Sequence, residues 1–197
     1  WGSRAQALQA LFAAHRSAEL LERVKCRLGP EADPELLLLA GRAARQQGVH
    51  ELGLELIRRV EAARPGDPEV LLTKLALLLG LSRSEASELE RALAQARLTN
   101  AQRAELLTLK AMAQARAGTT KDALALVERA LELDPKLVSA LNAKALFISP
   151  TDLPGAFAIL DDVPERRPRH SGARRIRGIL HRRAGDLDAA QRDLRAC

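Results

Sequence analysis

The chain has 197 residues, of which 47% are hydrophobic, 28% are charged and only 2% are aromatic. The scarcity of aromatic and β-branched residues argues against a β-sandwich or barrel, while the high apolar fraction argues against a disordered chain. The dominant residues, Ala, Leu, Arg and Glu, are good helix formers. The net charge is +6, and all of the excess lies in residues 165–197, which carry 10 Arg against 4 acidic residues. The composition therefore predicts a helical protein with a neutral body and a basic tail.

Helical periodicity recurs along the whole chain, with apolar residues at three- and four-residue spacing. Gly or Pro breaks separate these stretches, and such short connections require neighbouring helices to lie antiparallel. Residues 1–33 fit one weaker hairpin, whose second helix is expected over Ser17–Leu28. The clearest helices are predicted over Pro34–Gln47, Glu51–Ala63, Ala101–Ala117, Lys121–Leu133 and Gly172–Ala184.

The breaks are periodic. Gly48 and Gly118 are separated by the same number of residues as Pro65 and Pro135. Ala123 and Ala156 are separated by about half as many. Independent markers thus agree on a unit of about 34 residues, a period that indicates a repeat architecture. One unit, between 68 and 103, is slightly stretched.

Each marker has a mechanical reason. A glycine such as Gly48 ends the first helix of a pair, where a left-handed residue closes the last turn. The small residue five positions later, Gly53, allows the second helix to approach the first closely. Asp33-Pro34 places an N-cap before a first-turn proline and starts the next helix.

The stretch 104–137 resembles a tetratricopeptide repeat, through Leu107, Ala111, Gly118, Ala123 and the run Ala130-Leu131-Glu132-Leu133-Asp134-Pro135. The resemblance covers about 34–197, although the family's usual bulky aromatic residues are nearly absent. It implies an all-α fold, a right-handed α-solenoid of about six antiparallel helix hairpins. Other α-solenoids with overlapping periods remain open. The expected organisation is a single array over 1–197, divided into a weak hairpin at 1–33 and repeats at about 34–67, 68–103, 104–137, 138–170 and a truncated 171–197.

The resemblance also implies a protein–protein interaction scaffold, because stacked hairpins form a concave face from their first helices. Such a face suits an extended peptide or a partner helix. Polar residues on the first helices are the candidates for contacting this partner, although each also fits the ordinary solvated face of an amphipathic helix. These candidates are Arg42, Arg45, Thr108, Arg116, Asn142, Arg175 and Arg182.

Two alternative functions remain open. The chain stops at Cys197 inside a second helix, without the polar capping helix that solenoids need, so we expect it to be a fragment of a larger protein. It would then be a regulatory or docking module, either of an enzyme such as a glycosyl- or sulfotransferase or of an exopolysaccharide export system. The basic tail offers RNA binding instead, but it lacks interleaved aromatic residues for base stacking.

Catalysis within this chain is not expected. The four His residues are scattered without metal-ligand spacing, and no nucleophile-elbow, phosphate-loop or HExxH motif is present. We therefore expect no metal and no cofactor. The two cysteines, Cys26 and Cys197, belong to no motif. No signal peptide is recognisable, and no apolar run approaches the length of a membrane span, so the compartment stays open between cytoplasm and periplasm. The oligomeric state also stays open.

Overall fold

The computed structural model describes residues 2–14, 16–24, 28–29, 31–81, 86–94, 98–166 and 171–195. These residues form α-helices joined by short turns, and they contain no β-strand. The all-α fold predicted from the repeat is therefore confirmed. The helices are α1 (Gly2–Ala13), α2 (Ser17–Val24), α3 (Pro34–Gln46), α4 (His50–Ala63), α5 (Pro68–Gly80), α6 (Ala86–Leu93), α7 (Asn100–Arg116), α8 (Thr120–Leu133), α9 (Val138–Ile148), α10 (Leu153–Arg166), α11 (Ser171–Arg183) and α12 (Leu187–Arg195).

The helices pair into hairpins that divide between two compact units, residues 1–95 and residues 96–197. The first unit contains the pairs α1–α2, α3–α4 and α5–α6, and the second contains α7–α8, α9–α10 and α11–α12. Within each unit the first helices of successive hairpins touch, and each second helix except α6 and α12 packs against the next hairpin. The five helices predicted most clearly are each found within one residue of their expected ends. The single continuous array over 1–197 stays a prediction.

The helix ends follow the predicted turn chemistry. Gly48, Gly118 and Gly185 have φ of 74°, 91° and 84°, the left-handed conformation that glycine adopts without steric cost. The N–H of Val49 then donates to the carbonyl of Ala44 at 2.9 Å, which satisfies one of the last orphan acceptors of α3.

At the opposite helix ends, aspartates cap the first turns. The side chain of Asp33 accepts a hydrogen bond from the N–H of Glu35 at 2.7 Å, and Asp67 accepts one from Glu69 at 2.8 Å. Pro34 and Pro68 follow the caps, where a missing N–H costs nothing. The two N-caps predicted from the Asp-Pro pairs are therefore confirmed.

Small residues allow the helices to approach closely: an added Cβ at Gly53 would lie 3.3 Å from Cβ of Ala44 on the first helix of the pair, as predicted, but its tightest contact is with the next hairpin. A Cβ atom added to Gly41 would lie 2.7 Å from Cδ1 of Ile57, and one added to Gly53 would lie 2.6 Å from Cδ2 of Leu77. These contacts join α3 to α4 and α4 to α5. An alanine at either position would therefore force a buried neighbouring side chain to shift.

Leucine, isoleucine, valine and alanine fill the cores of both units. In residues 1–95 the core includes Ile57, Val60 and Leu77, which are fully shielded from solvent. In residues 96–197, α9, α10 and α11 share a core around Leu160 and Leu180. Each hairpin leaves an apolar stripe that its neighbour covers, so consecutive hairpins within each unit pack on one another.

Two predictions concern helix ends that border on residues outside the described part of the chain. The second helix of the first hairpin spans Ser17–Val24 and not Ser17–Leu28, since Leu28 is not helical and residues 25–27 are outside the described part. Pro168 follows Pro135 by about one repeat, where the pattern predicts the end of α10, and it also lies outside the described residues. Within them, no helix is both long enough and apolar enough to cross a membrane.

Candidate functional site: a cleft on the first helices of residues 1–95

The first helices of residues 1–95 lie side by side, with α1 against α3 and α3 against α5. A cleft of about 460 Å³ opens across them. We call it the α3 cleft, since most of its lining belongs to α3 and its N-cap. Glu35, Leu38 and Arg42 recur there at three- and four-residue spacing, so they share one helical face. The lining residues are Leu8, Gln9, Phe12, Asp33, Glu35, Leu36, Leu38, Leu39, Arg42 and Glu69.

Arg42 is the predicted site residue that lies in this cleft. Its Nη1 donates to Oε1 of Glu69 on α5, and its Cζ lies 4.7 Å from the centroid of the Phe12 ring on α1. The guanidinium therefore contacts both helices that flank α3, through an ion pair on one side and a cation–π contact on the other. The side chains of Arg42 and Glu69 are 35% and 47% exposed, so a ligand in the cleft can reach both.

One edge of the cleft is acidic. Asp33 and Asp67 cap α3 and α5, and Glu35 and Glu69 follow each cap by two residues. Arg64 Nη2 donates to Oε1 of Glu35 at 2.7 Å. The pKa of the Arg64 guanidinium is raised by this hydrogen bond and by the nearby charges of Asp67 and Asp33. Four carboxylates thus share this edge with two guanidinium groups, those of Arg64 and Arg42.

Arg45, the second candidate on α3, lies nearly one helical turn after Arg42. It is partly buried and does not line the cleft. Its side chain is already engaged in an interaction within the protein. Its predicted contact with a partner stays a prediction.

The remaining candidates belong to residues 96–197 and differ in exposure. Thr108 on α7 is 4% exposed, and its hydroxyl donates to the carbonyl of Ala104 at 2.9 Å, so its donor is already used. Asn142 on α9 is 7% exposed, and its Oδ1 is buried without a hydrogen-bond partner among the described residues. The other three candidates, all arginines, are exposed at the surface: Arg116, Arg175 and Arg182.

Arg177 has a structural role that its place in the basic tail did not reveal. Its Nε and Nη2 donate to the two carboxylate oxygens of Asp193 on α12 at 2.8 and 2.6 Å, and its Nη1 donates to Asp161 on α10 at 2.6 Å. The hydrogen bonds from Arg177 lower the pKa of Asp193. His181 stacks on Phe157 with a centroid distance of 4.5 Å. This cluster joins α10, α11 and α12.

The predicted basic surface is consequently smaller than the sequence suggests. Arg177 is committed to carboxylates of its own chain, and Arg174 is also engaged in an interaction. Arg167 and Arg169 lie outside the described residues, and the side chain of Arg166 is not described. The exposed arginines of the described tail are Arg175, Arg182, Arg183, Arg192 and Arg195.

The part of the chain that the structure describes contains no candidate metal site. No group of three or more His, Cys, Asp or Glu side chains converges there in a way that could hold a metal ion. The acidic edge of the α3 cleft is instead occupied by helix capping and by ion pairs with arginine.

The sequence indicated Arg42 but missed its partners, Phe12 and Glu69. Phe12 lies in the weak first hairpin, where the repeat pattern gives no register. Glu69 carried a usable signal, because the tripeptide Asp-Pro-Glu occurs at 33–35 and again at 67–69, one repeat later. That repetition places equivalent carboxylates at the same ends of adjacent first helices.

Neither a protein-family model nor a curated protein sequence matches this chain. Among solved structures, a monomeric IFIT1 mutant with Gppp-AAAA matches with a TM-score of 0.64 and 16% identity, over 91% of this chain and 45% of that one. A crystal structure of MamA matches with a TM-score of 0.47, 18% identity and coverages of 79% and 91%. YrrB, described as a TPR protein with an unusual peptide-binding site, matches with a TM-score of 0.44, 15% identity and coverages of 93% and 91%.

The chain therefore has a tetratricopeptide-like repeat fold, as its sequence predicted. It spans less than half the length of the IFIT1 chain that it matches. At such low identity the likeness concerns the fold and carries no residue of the site.

Proposed function

We propose that this chain is a protein–protein interaction scaffold that holds a segment of a partner protein in the α3 cleft. The observation that supports this function most directly is the arrangement around Arg42. A partly exposed guanidinium is held between the Phe12 ring and the Glu69 carboxylate, in a cleft that Leu8 and Leu39 also line. Arginine and aromatic side chains in such settings are typical energetic centres of protein interfaces.

The floor of the cleft offers apolar surface to a partner. Leu8, Phe12 and Leu39 are partly exposed although they pack against the core of the first unit. Covering them with one apolar side chain of a partner contributes about 1.5–3 kcal/mol. Groove recognition of a short segment relies on a few such anchors combined with polar contacts at the edge.

Polar contacts would come from Arg42 and its neighbours. Since Arg42 and Glu69 keep 35% and 47% of their side-chain surface exposed, a partner carbonyl or side chain can join their ion pair without breaking it. The planar guanidinium has five N–H donors, so donors remain for a ligand. The cleft thus combines an apolar floor with an oriented donor group.

The test is a peptide-display selection against the full chain, followed by titration of the enriched peptides. We expect Arg42→Ala to weaken the selected peptides by about tenfold or more, because the variant removes a central interface side chain. Arg58→Ala is the matched control, since Arg58 is an exposed arginine of α4 in the same unit and does not line the cleft. Circular dichroism checks that both variants keep their helix content.

A peptide that binds both variants like the original chain would place the interface elsewhere and refute the cleft assignment. The exposed arginines Arg116, Arg175 and Arg182 would then be the next positions to substitute. The outcome also bears on the docking-module interpretation, in which the same cleft holds a segment of a larger parent protein.

RNA is the competing ligand class. The matched IFIT1 structure contains Gppp-AAAA, and exposed arginines on α7 and α11 of this chain could contact phosphates. An RNA oligonucleotide titrated at low and high salt separates the two classes. Salt-sensitive RNA binding abolished by Arg175→Ala and Arg182→Ala, without any selected peptide, would favour RNA over a protein partner.

A further inference from the structure

We propose that the α3 cleft selects a cationic amphipathic segment, in which an apolar residue stands next to lysine or arginine. This inference rests on the proposed function, and it adds the chemistry of the partner. The charges at the edge of the cleft determine that chemistry.

The charge balance of the cleft is negative. Its lining contains the carboxylates of Asp33, Glu35 and Glu69 against the single guanidinium of Arg42. Including the flanking Asp67 and Arg64 leaves four carboxylates against two guanidinium groups. An acidic partner segment would meet uncompensated like charge here, whereas a basic one would complete the pairing.

The carboxylates remain accessible to a ligand. The Glu35 side chain is 68% exposed and that of Glu69 is 47% exposed, although each is paired with an arginine. Asp33 uses Oδ1 to accept the capping hydrogen bond from the Glu35 N–H. A carboxylate accepts several hydrogen bonds, so all three groups can take a further donor.

The apolar floor and the acidic edge adjoin each other, which favours long basic side chains. Glu35 and Leu39 lie four residues apart on one face of α3, both line the cleft, and Leu39 is partly exposed. A lysine or arginine can lay its aliphatic stem on the leucine floor and place its charge at the acidic edge. An apolar neighbour in the partner then fills the space beside Phe12.

The edge also repeats from one hairpin to the next. Asp33 and Glu35 at the start of α3 have equivalents in Asp67 and Glu69 at the start of α5, one repeat later. Successive basic residues of a bound segment could therefore meet equivalent carboxylate pairs in turn. For exposed pairs of this kind we expect about two- to fivefold in affinity per carboxylate at low salt.

Three fluorescent peptides test this specificity on the full chain by anisotropy. They share the same apolar residues and differ only in their flanking positions, which are all Lys, all Gln or all Glu. We expect the Lys peptide to bind most tightly and the Glu peptide most weakly. Rising salt should weaken the Lys peptide and bring the three affinities together.

Charge-neutral variants of the cleft supply the second part of the test. Asp33→Asn keeps a residue that caps helices equally well, and Glu35→Gln keeps the size of the side chain. The double variant should reduce the preference for Lys over Gln by about four- to twenty-five-fold. Glu55→Gln, an exposed glutamate of α4 outside the cleft, should leave the preference unchanged.

The outcomes separate this inference from the function beneath it. Equal binding of the Lys and Glu peptides, with sensitivity to Arg42→Ala, would overturn the cationic preference and leave the scaffold function standing. No binding by any of the peptides, or by selected ones, would overturn both. If sedimentation instead shows self-association that the Lys peptide competes away, the occupant is a second copy of this chain, and a separate partner is refuted.

Discussion

The cluster around Arg177 provides the sharpest stability prediction. Replacing Arg177 with methionine keeps most of the aliphatic stem but removes the guanidinium. This group donates hydrogen bonds to both carboxylate oxygens of Asp193 and to one of Asp161. The Asp193 carboxylate would then be left largely buried, since its side chain is only 11% exposed, without its bidentate partner. Removing one partner of an ion pair is costly because the remaining charge loses its compensation, of which Arg174 and His181 supply only a smaller part here.

The expected loss is about 2–3 kcal/mol. Removing one partner of a fully buried pair costs about 3–5 kcal/mol, and the 25% exposure of the Arg177 side chain reduces that figure. Because stability in a repeat array is a sum of local terms, the loss should be concentrated in α11 and α12. Amide hydrogen exchange there should accelerate by roughly 30- to 160-fold. Arg182→Met, an exposed arginine on the same helix, is the control and should change exchange little.

The effect should also depend on pH. The folded-state pKa of Asp193 lies below its ordinary value of 3.8, so the pair stabilises the fold above that value. This stability is lost as the pH falls through the depressed folded-state pKa. The difference between the original chain and Arg177→Met should therefore shrink on acidification below about pH 4.

The assay is hydrogen exchange with mass spectrometry across the pH series, combined with a double-mutant cycle of Arg177→Met and Asp193→Asn. A coupling energy of at least about 1 kcal/mol is expected for groups in direct contact. If Arg177→Met accelerates exchange no more than Arg182→Met does, or if its effect grows on acidification, the assignment of the pair as a stabilising contact is refuted.

Substitutions at three further positions, Gly53, Gly118 and Thr99, test helix packing and helix ends, each by urea denaturation followed by circular dichroism. Gly53→Ala should cost about 1–3 kcal/mol, because its Cβ would lie 2.6 Å from Cδ2 of the buried Leu77, and Leu77→Ala in the same chain should relieve that clash. Gly118→Ala should cost about 1 kcal/mol, because φ is 91° while nothing lies within 4 Å of an added Cβ. Gly118→Asn should cost less, because asparagine adopts the left-handed conformation more readily than alanine. Equal costs for the two variants would exclude backbone conformation as the cause. Thr99→Ala should cost about 1 kcal/mol by removing the hydroxyl that accepts from the Gln102 N–H, and Thr99→Ser should restore that hydrogen bond.

The fold could be predicted from the sequence because its determinants are local and repeated. Gly48 and Gly118 report a backbone conformation that few other residues adopt, and Asp33-Pro34 reports the start of a helix. Such signals depend on a few consecutive residues, so they survive the loss of the aromatic residues that usually mark these repeats. The repeat period then fixes which helices are neighbours.

The α3 cleft was harder to predict because its contacts join positions far apart in the chain. Arg42 on α3 pairs with Glu69 at the start of α5, and it stacks on Phe12 of α1. The weak first hairpin gave no register from which that stacking could be inferred. Arg177 shows the converse, since its partners on α10 and α12 turn an arginine of the basic tail into a structural residue.

Equivalent repeat positions show how one fold carries different surfaces. Leu38, Thr108, Asn142 and Arg175 occupy matching places on the first helices α3, α7, α9 and α11, at spacings that follow the repeat. Leu38 lines the α3 cleft, Thr108 satisfies its hydroxyl within its own helix, Asn142 keeps a buried carbonyl oxygen without a partner among the described residues, and Arg175 is exposed. The period constrains where such a side chain stands but leaves its chemistry free, since Leu38, Thr108 and Asn142 are buried whereas Arg175 is exposed. Binding specificity in this chain must consequently be sought one hairpin at a time.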